Sequence, residues 1–204
     1  MKTVLVYGDS NTYAQTNWPY MGAPRLPYEE RWTSRVQHHF EGQVLVLPEG
    51  LGGRTAADVQ SGDDAHRNGR AYFQAIFCSH QPVDVMVVAL GTNDCQARYG
   101  RSAPQIHNYL LWYQGVVAKL SSPDFVIPKV VYVVPPRFHV NNDDEYFGGR
   151  EAIRDELAML MTQSTDMDVV RLDDIATSLD GVHLSSEGHR QMAIAVEEKL
   201  KEML

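Results

Sequence analysis

Four short runs, residues 4–7, 44–47, 85–90 and 130–134, are almost wholly apolar, and they alternate along the chain with segments of helical period. A strand with one wet face alternates polar and apolar side chains, whereas a strand covered on both faces does not. These runs are therefore read as parallel strands sandwiched between helices, with residues 167–172 as a weaker fifth. Between and after them, apolar side chains recur at three- and four-residue steps, which places them on one helical face. Ile106, Tyr109, Leu110, Tyr113, Val117 and Leu120 form one such stripe; Ile153, Leu157, Leu160 and Met161 form a second; Met192, Val196, Leu200 and Met203 form a third. Ser185 or Ser186 is placed to cap the last of these helices, with Glu187 in its first turn.

The chain has 204 residues, which suits one well-buried domain spanning 1–204. Alternating strands and helices in that length predict a single three-layer α/β domain with a central, mostly parallel, five-stranded sheet. Right-handed crossovers then bring the loops that follow the strands to one edge of the sheet. Residues far apart in sequence converge there, so the search for chemistry starts at those loops.

Composition narrows the partners. The formal net charge is −8, and the basic residues are scattered among acids, which argues against nucleic acid. No apolar run approaches the length of a membrane span. Met1 leads directly into the first strand-like run, with no signal-peptide pattern. The cysteines, Cys78 and Cys95, are too few for a disulfide framework and lack zinc-type spacing, so a reducing cytoplasm is expected. His66, His80, His107 and His139 have no partner at metal-ligand spacing, so no metal and no cofactor is expected. His38, His39 and His189 fall on helices and are read as surface residues.

Four segments fall where the sheet edge would gather a site. Gly8-Asp9-Ser10-Asn11-Thr12 follows the first run, and Glu49-Gly50-Leu51-Gly52-Gly53-Arg54-Thr55 the second. Gly91-Thr92-Asn93-Asp94 follows the third, and Asp180-Gly181-Val182-His183 precedes the last helix. Together they supply what acyl transfer needs. A serine hydroxyl is a poor nucleophile until a base takes its proton. Imidazole suits that task at neutral pH, and a carboxylate three residues earlier can orient the ring within one short turn. Backbone N–H groups and the Asn93 amide can hold a developing oxyanion. Asp9 is read as shaping the turn before Ser10, and Asp94 as bracing its own loop. Asp173 and Asp174 compete with Asp180 for the histidine but lack its spacing.

In this order and register the four segments resemble the sequence blocks of the SGNH, or GDSL-like, hydrolases across nearly the whole chain. The resemblance implies a flavodoxin-like fold and a serine esterase acting through an acyl-serine intermediate. Ser10, Asp180 and His183 would be the catalytic residues, and Ser10, Gly53 and Asn93 would form the oxyanion hole. Asn11 and Thr12 stand where the family's name-giving motif has Leu and then often Thr, so Asn11 is assigned to the pocket wall. Arg31-Trp32-Thr33, Glu49-Gly50-Leu51, Gly53-Arg54-Thr55, Asn68-Gly69-Arg70-Ala71-Tyr72 and the stretch 90–94 resemble a bacterial branch of arylesterases and acyltransferases that assemble as multimers. That branch implies short acyl or aryl esters as substrates, acyl transfer beside hydrolysis, and a homo-oligomer. Substrate contacts are expected from Asn11, Tyr13, Trp18, Arg54, Cys95 and Val182. Tyr20 and Met21 are further pocket candidates, and Trp18 and Tyr20 serve equally well as subunit contacts.

Other classes fit less well. The chain has no Gly-x-Ser-x-Gly elbow, no P-loop and no Gly-x-Gly-x-x-Gly after the first run. Two alternatives stay open: a carbohydrate O-deacetylase using the same residues, and a catalytically silent binding protein on the same fold.

Overall fold

A computed structural model describes residues 1–16, 25–57, 59, 64–121 and 126–204. Strand β1 (Lys2–Gly8) lies between β2 (Val44–Gly50) and β3 (Val85–Ala89), and β4 (Lys129–Val133) and β5 (Asp168–Val170) extend the sheet beyond β3. The order is β2-β1-β3-β4-β5 and every pair is parallel. The fifth strand is shorter than the apolar run around it. After Val134, whose N–H donates to Val170 at 2.9 Å, β4 runs into Pro135 and Pro136, which have no N–H to continue the ladder.

Successive residues of each strand enter opposite cores, as the period of two requires. On one face Leu5, Tyr7, Met86, Val88 and Tyr132 pack against α3 (Gly69–His80), α4 (Ala103–Leu120) and α5 (Glu151–Gln163). On the other, Val4, Val6, Val85, Val87, Val131 and Val133 pack against α2 (Trp32–His39) and α6 (Ser186–Met203). Each fully buried Val or Leu contributes about 1.5–3 kcal/mol relative to exposure. This two-sided burial is why the strands read as continuous apolar runs.

Helix α3 has no clear stripe in the sequence. Its start is fixed by Asn68, whose Oδ1 accepts from the N–H groups of Arg70 and Ala71 at 3.0 and 3.2 Å, and its inner face by Phe73 and Phe77. Ser185, not Ser186, caps α6, accepting from Gly188 N–H at 3.1 Å. His189 is a correction. Instead of facing solvent it is fully buried, and its Nδ1 accepts from Trp32 N–H at 3.2 Å, which joins α6 to α2. Among the described residues no helix is long and apolar enough to cross a membrane.

Candidate active site

The crossovers change direction between β1 and β3, and in sheets of this order the strand ends on either side of that switch leave a crevice. Ser10 follows β1 and Asn93 follows β3, so the topology itself sets them side by side. The chain turns from β1 straight into a four-residue helix, α1 (Ser10–Tyr13). A Cβ on Gly8 would lie 2.0 Å from Thr12 Oγ1, so this close turn needs glycine. Asp9 caps the turn, its carboxylate accepting from Asn11 N–H at 2.9 Å. Burial raises the Asp9 carboxyl to about 6 despite that bond and the nearby His183. Ser10 opens α1, where a backbone N–H has no intrahelical acceptor.

Asp180 and His183 come from a tight turn ahead of α6. His183 Nδ1 lies 2.7 Å from Asp180 Oδ2. Asp180 Oδ1 accepts from Ser178 Oγ, Val182 N–H and His183 N–H at 2.8, 3.0 and 2.9 Å. Burial pushes this carboxyl up, but the hydrogen bonds from the His183 ring and the two backbone N–H groups outweigh it. Asp180 is held well below the usual carboxylate range. Gly181 makes the turn possible. Its φ is +70°, and a Cβ there would sit 2.2 Å from the His139 carbonyl oxygen.

Asn93 begins a 3₁₀ turn (Asn93–Cys95), with its amide fixed at both ends. Nδ2 donates to the Arg54 carbonyl at 3.1 Å, and Oδ1 accepts from Gln96 Nε2 at 2.9 Å. Asp94 points the other way, accepting from Ala56 N–H at 2.7 Å and from Arg101, and so ties the loop after β3 to the loop after β2. Gly53 lies in that second loop, in a turn closed by Arg54 N–H to Leu51 O at 3.1 Å.

Ser10, Asn93, Asp180, Val182 and His183 line one open pocket of ≈ 140 Å³, together with Gln96, Asp144, Tyr146 and Phe147. Gly53 is not on that wall; it is the residue before Arg54, whose carbonyl holds the Asn93 amide. A second cavity, ≈ 20 Å³, lies behind Ser10 against Asp9, Asn11, Trp32 and Leu184, with room for about one water rather than a substrate. Among the described residues no group of three His, Cys, Asp or Glu side chains gathers as a metal site.

Of the expected substrate contacts among the described residues, Asn11, Tyr13, Arg54, Cys95 and Val182, only Val182 lines the pocket. Asn11 is buried and faces the small cavity, its amide spent on the backbone around His183. Tyr13 packs under Arg25, whose guanidinium lies 4.1 Å from the ring centre. Arg54 is drawn inward: it covers the Tyr7 ring at 4.0 Å and donates to the carbonyls of Gly8, at 2.9 Å, and Glu49. Cys95 is fully buried in the α3–α5 core, and burial pushes its thiol up to about 12, which leaves no thiolate to act as a nucleophile. Trp18, Tyr20 and Met21 lie outside the described residues. Asp173 pairs with Arg154 and Arg171 rather than with the histidine.

Four wall residues went unrecognised in the sequence. Gln96 had a signal, three residues past Asn93 in the same turn. Asp144, Tyr146 and Phe147 had none, because they sit in an irregular loop whose fold is set by Asp144 accepting from the N–H groups of Tyr146 and Phe147 at 3.0 and 2.8 Å.

Comparison with known structures gives whole-chain matches. Est24, a carbohydrate acetylesterase from Sinorhizobium meliloti, superposes with a TM-score of 0.90 at 28% identity, over 100% of both chains. A carbohydrate acetylesterase family member from the same organism gives a TM-score of 0.87 at 29% identity, over 100% of this chain and 99% of that one. The aryl esterase of M. smegmatis, at 24% identity, shares the fold, with a TM-score of 0.89 over 100% of both chains. A search of curated proteins returned no match. The profile of the GDSL-like Lipase/Acylhydrolase family matches residues 6–191. With that match over most of its length, the chain belongs to the GDSL-like lipase/acylhydrolase family and is a serine esterase.

Proposed function

We propose that the chain hydrolyses small carboxylic esters through an acyl-Ser10 intermediate, with His183 as the base and Asp180 as its orienting carboxylate. The observation that carries this is the meeting of Ser10, Asn93, Asp180 and His183 in one pocket, with Asp180 on His183 Nδ1 at 2.7 Å. Ser10 Oγ attacks the ester carbonyl carbon while His183 Nε2 takes its proton. The Ser10 N–H group and Asn93 Nδ2 hold the oxyanion. Collapse breaks the ester bond, and His183 returns the proton to the departing alcohol. Water then attacks the acyl-enzyme with His183 as base again. An alcohol in place of water completes acyl transfer by the same step.

The wall supports a short acyl group and a polar alcohol. Among the described residues that line it, Val182, Tyr146 and Phe147 are the only apolar members, and no long aliphatic groove leads from Ser10. Gln96 and Asp144 beside the Tyr146 ring give polar groups next to an aromatic face, a combination suited to a sugar. This favours, as a second reading, an O-acetylated carbohydrate as the natural ester, in keeping with the two Sinorhizobium meliloti relatives.

The test is a p-nitrophenyl ester series beside acetylated sugars, with Ser10→Ala run in parallel. Turnover that falls with acyl length and vanishes in Ser10→Ala supports the reading, and acetate released from the sugars supports the second. Activity that survives in Ser10→Ala would overturn both. Light scattering on the same sample tests the homo-oligomer that the branch resemblance implies.

A further inference from the structure

Asn11 is adjacent to the nucleophile, yet its side chain acts on the histidine's segment. Its Oδ1 accepts from Leu184 N–H at 2.9 Å, and its Nδ2 approaches the Val182 carbonyl at 3.5 Å. One amide therefore holds the peptide groups on both sides of His183, across 173 residues of chain in the shorter bond. Asn11 is itself anchored through its backbone. Its N–H donates to Asp9 at 2.9 Å, and its carbonyl accepts from Trp32 Nε1 at 3.2 Å. With 8% exposure it is shielded from water that would compete for these bonds.

The 182–184 segment is also held within its own neighbourhood. Ser178 N–H donates to the His183 carbonyl at 2.7 Å, Thr177 and Leu184 form an antiparallel bridge, and Asp180 orients the ring. Those contacts shape the turn but do not place it relative to Ser10. The Asn11 amide spans from α1 to the turn, so it sets where the imidazole stands with respect to the serine. A leucine at this position has a similar size but neither a donor nor an acceptor. It would leave the Leu184 N–H and the Val182 carbonyl without this partner.

We propose that Asn11 is a positioning residue for His183, registering the base against the nucleophile rather than contacting substrate. This rests on the acyl-serine reading above. Proximity is where the effect should appear, because a displacement of about 1 Å in a reacting group costs on the order of 100-fold in rate.

The experiment compares wild type with Asn11→Leu and Asn11→Asp. Active sites are counted by titration with a serine-directed phosphonate, and kcat and KM are measured on p-nitrophenyl acetate. The low-field proton NMR signal of the His183 Nδ1–H···Asp180 bond is followed in the same samples and needs no turnover. Asn11→Leu should lower kcat per titrated site at least about ten-fold, with KM within about two-fold, and broaden or shift that signal. Asn11→Asp keeps an acceptor for Leu184 N–H and should recover part of the loss. Wild-type kcat per site in both variants, with the proton signal unmoved, would overturn the proposal even if the variants unfold more easily. If Asn11→Leu does not fold, Asn11→Asp decides alone: reduced kcat at unchanged KM supports positioning, and wild-type kcat overturns it. Activity that persists in Ser10→Ala would instead sink the acyl-serine reading, and the proton signal would then still report whether Asn11 holds the histidine.

Discussion

Replacing Asp180 by Asn changes one atom, and the hydrogen bonds around it fix what that change does. Oδ1 accepts three bonds, from Ser178 Oγ, Val182 N–H and His183 N–H, and Oδ2 faces His183 Nδ1. An asparagine that keeps its oxygen at the Oδ1 position retains those three and turns its NH2 toward Nδ1. The flipped orientation aims an NH2 at two backbone N–H groups. At about 1–3 kcal/mol for each donor left unpaired, the flip is disfavoured by at least about 2 kcal/mol. Nδ1 must then become an acceptor, so the ring proton moves to Nε2, the nitrogen that should take the proton of Ser10. The equivalent substitution in the serine-protease triad lowers kcat about 10⁴-fold by enforcing the wrong tautomer. The same loss, about 5.5 kcal/mol of barrier, is expected here. Because the three Oδ1 bonds survive, unfolding free energy should change by no more than about 1–2 kcal/mol. Burst kinetics on p-nitrophenyl acetate, with thermal unfolding on the same preparation, measure both. A folded Asp180→Asn enzyme that loses less than ten-fold in kcat would refute the tautomer argument and remove Asp180 from the base system.

Gly181→Ala should cost at least about 2 kcal/mol in urea unfolding, from the left-handed φ and from the contact with His139 O. It should also reduce kcat, because the displaced turn carries His183; a variant with wild-type stability and rate would contradict the close approach. Burial, reinforced by the nearby Arg35, lowers the His189 pKa from 6.5 to about 4. The unfolded chain thus takes up this proton first, so the associated stability is complete above pH 6.5 and is lost as pH falls toward 4, by up to about 3 kcal/mol. The raised carboxyl of Asp9 acts in the opposite sense, its contribution fading as pH rises from near 4 to about 6. The difference between wild type and His189→Gln, followed by urea midpoints from pH 7.5 to 4.5 (values spanning roughly that window), isolates the histidine; parallel curves would refute its assignment. Arg54→Ala should destabilise by about 3 kcal/mol, since it strands the Gly8 and Glu49 carbonyls, and a loss below about 0.5 kcal/mol would show the buried guanidinium to be dispensable.

The residues proposed to carry the chemistry are legible because each sits in a short local motif. Asp180 and His183 are close in sequence, so one turn brings them together. Ser10 and Asn93 directly follow apolar runs whose role as buried strands is plain from their lack of alternation. The pocket wall was much less legible. Asn11, Tyr13, Arg54 and Cys95 adjoin Ser10, Gly53 or Asn93 in sequence, but closeness along the chain does not aim a side chain at the pocket. The direction of a side chain depends on what lies behind it, and for these four the partners are the Val182 and Leu184 peptides, Arg25, the Tyr7 ring and the α3–α5 core. His189 went to the interior for a similar reason: its helix position faces Trp32, which lies 157 residues away in sequence.

By itself, then, the sequence determined the layers, the edge of the sheet where the site forms, and the serine, carboxylate and imidazole within it. Local periodicity and short-range turn chemistry are written residue by residue, and each needs only its neighbours to take effect. The tertiary structure alone decided which residues face the pocket, that Asp144, Tyr146 and Phe147 line it, and that the Asn11 amide turns to the backbone on either side of His183. Those outcomes depend on contacts between segments far apart in the chain, where a buried donor or acceptor turns toward whichever partner the packing supplies.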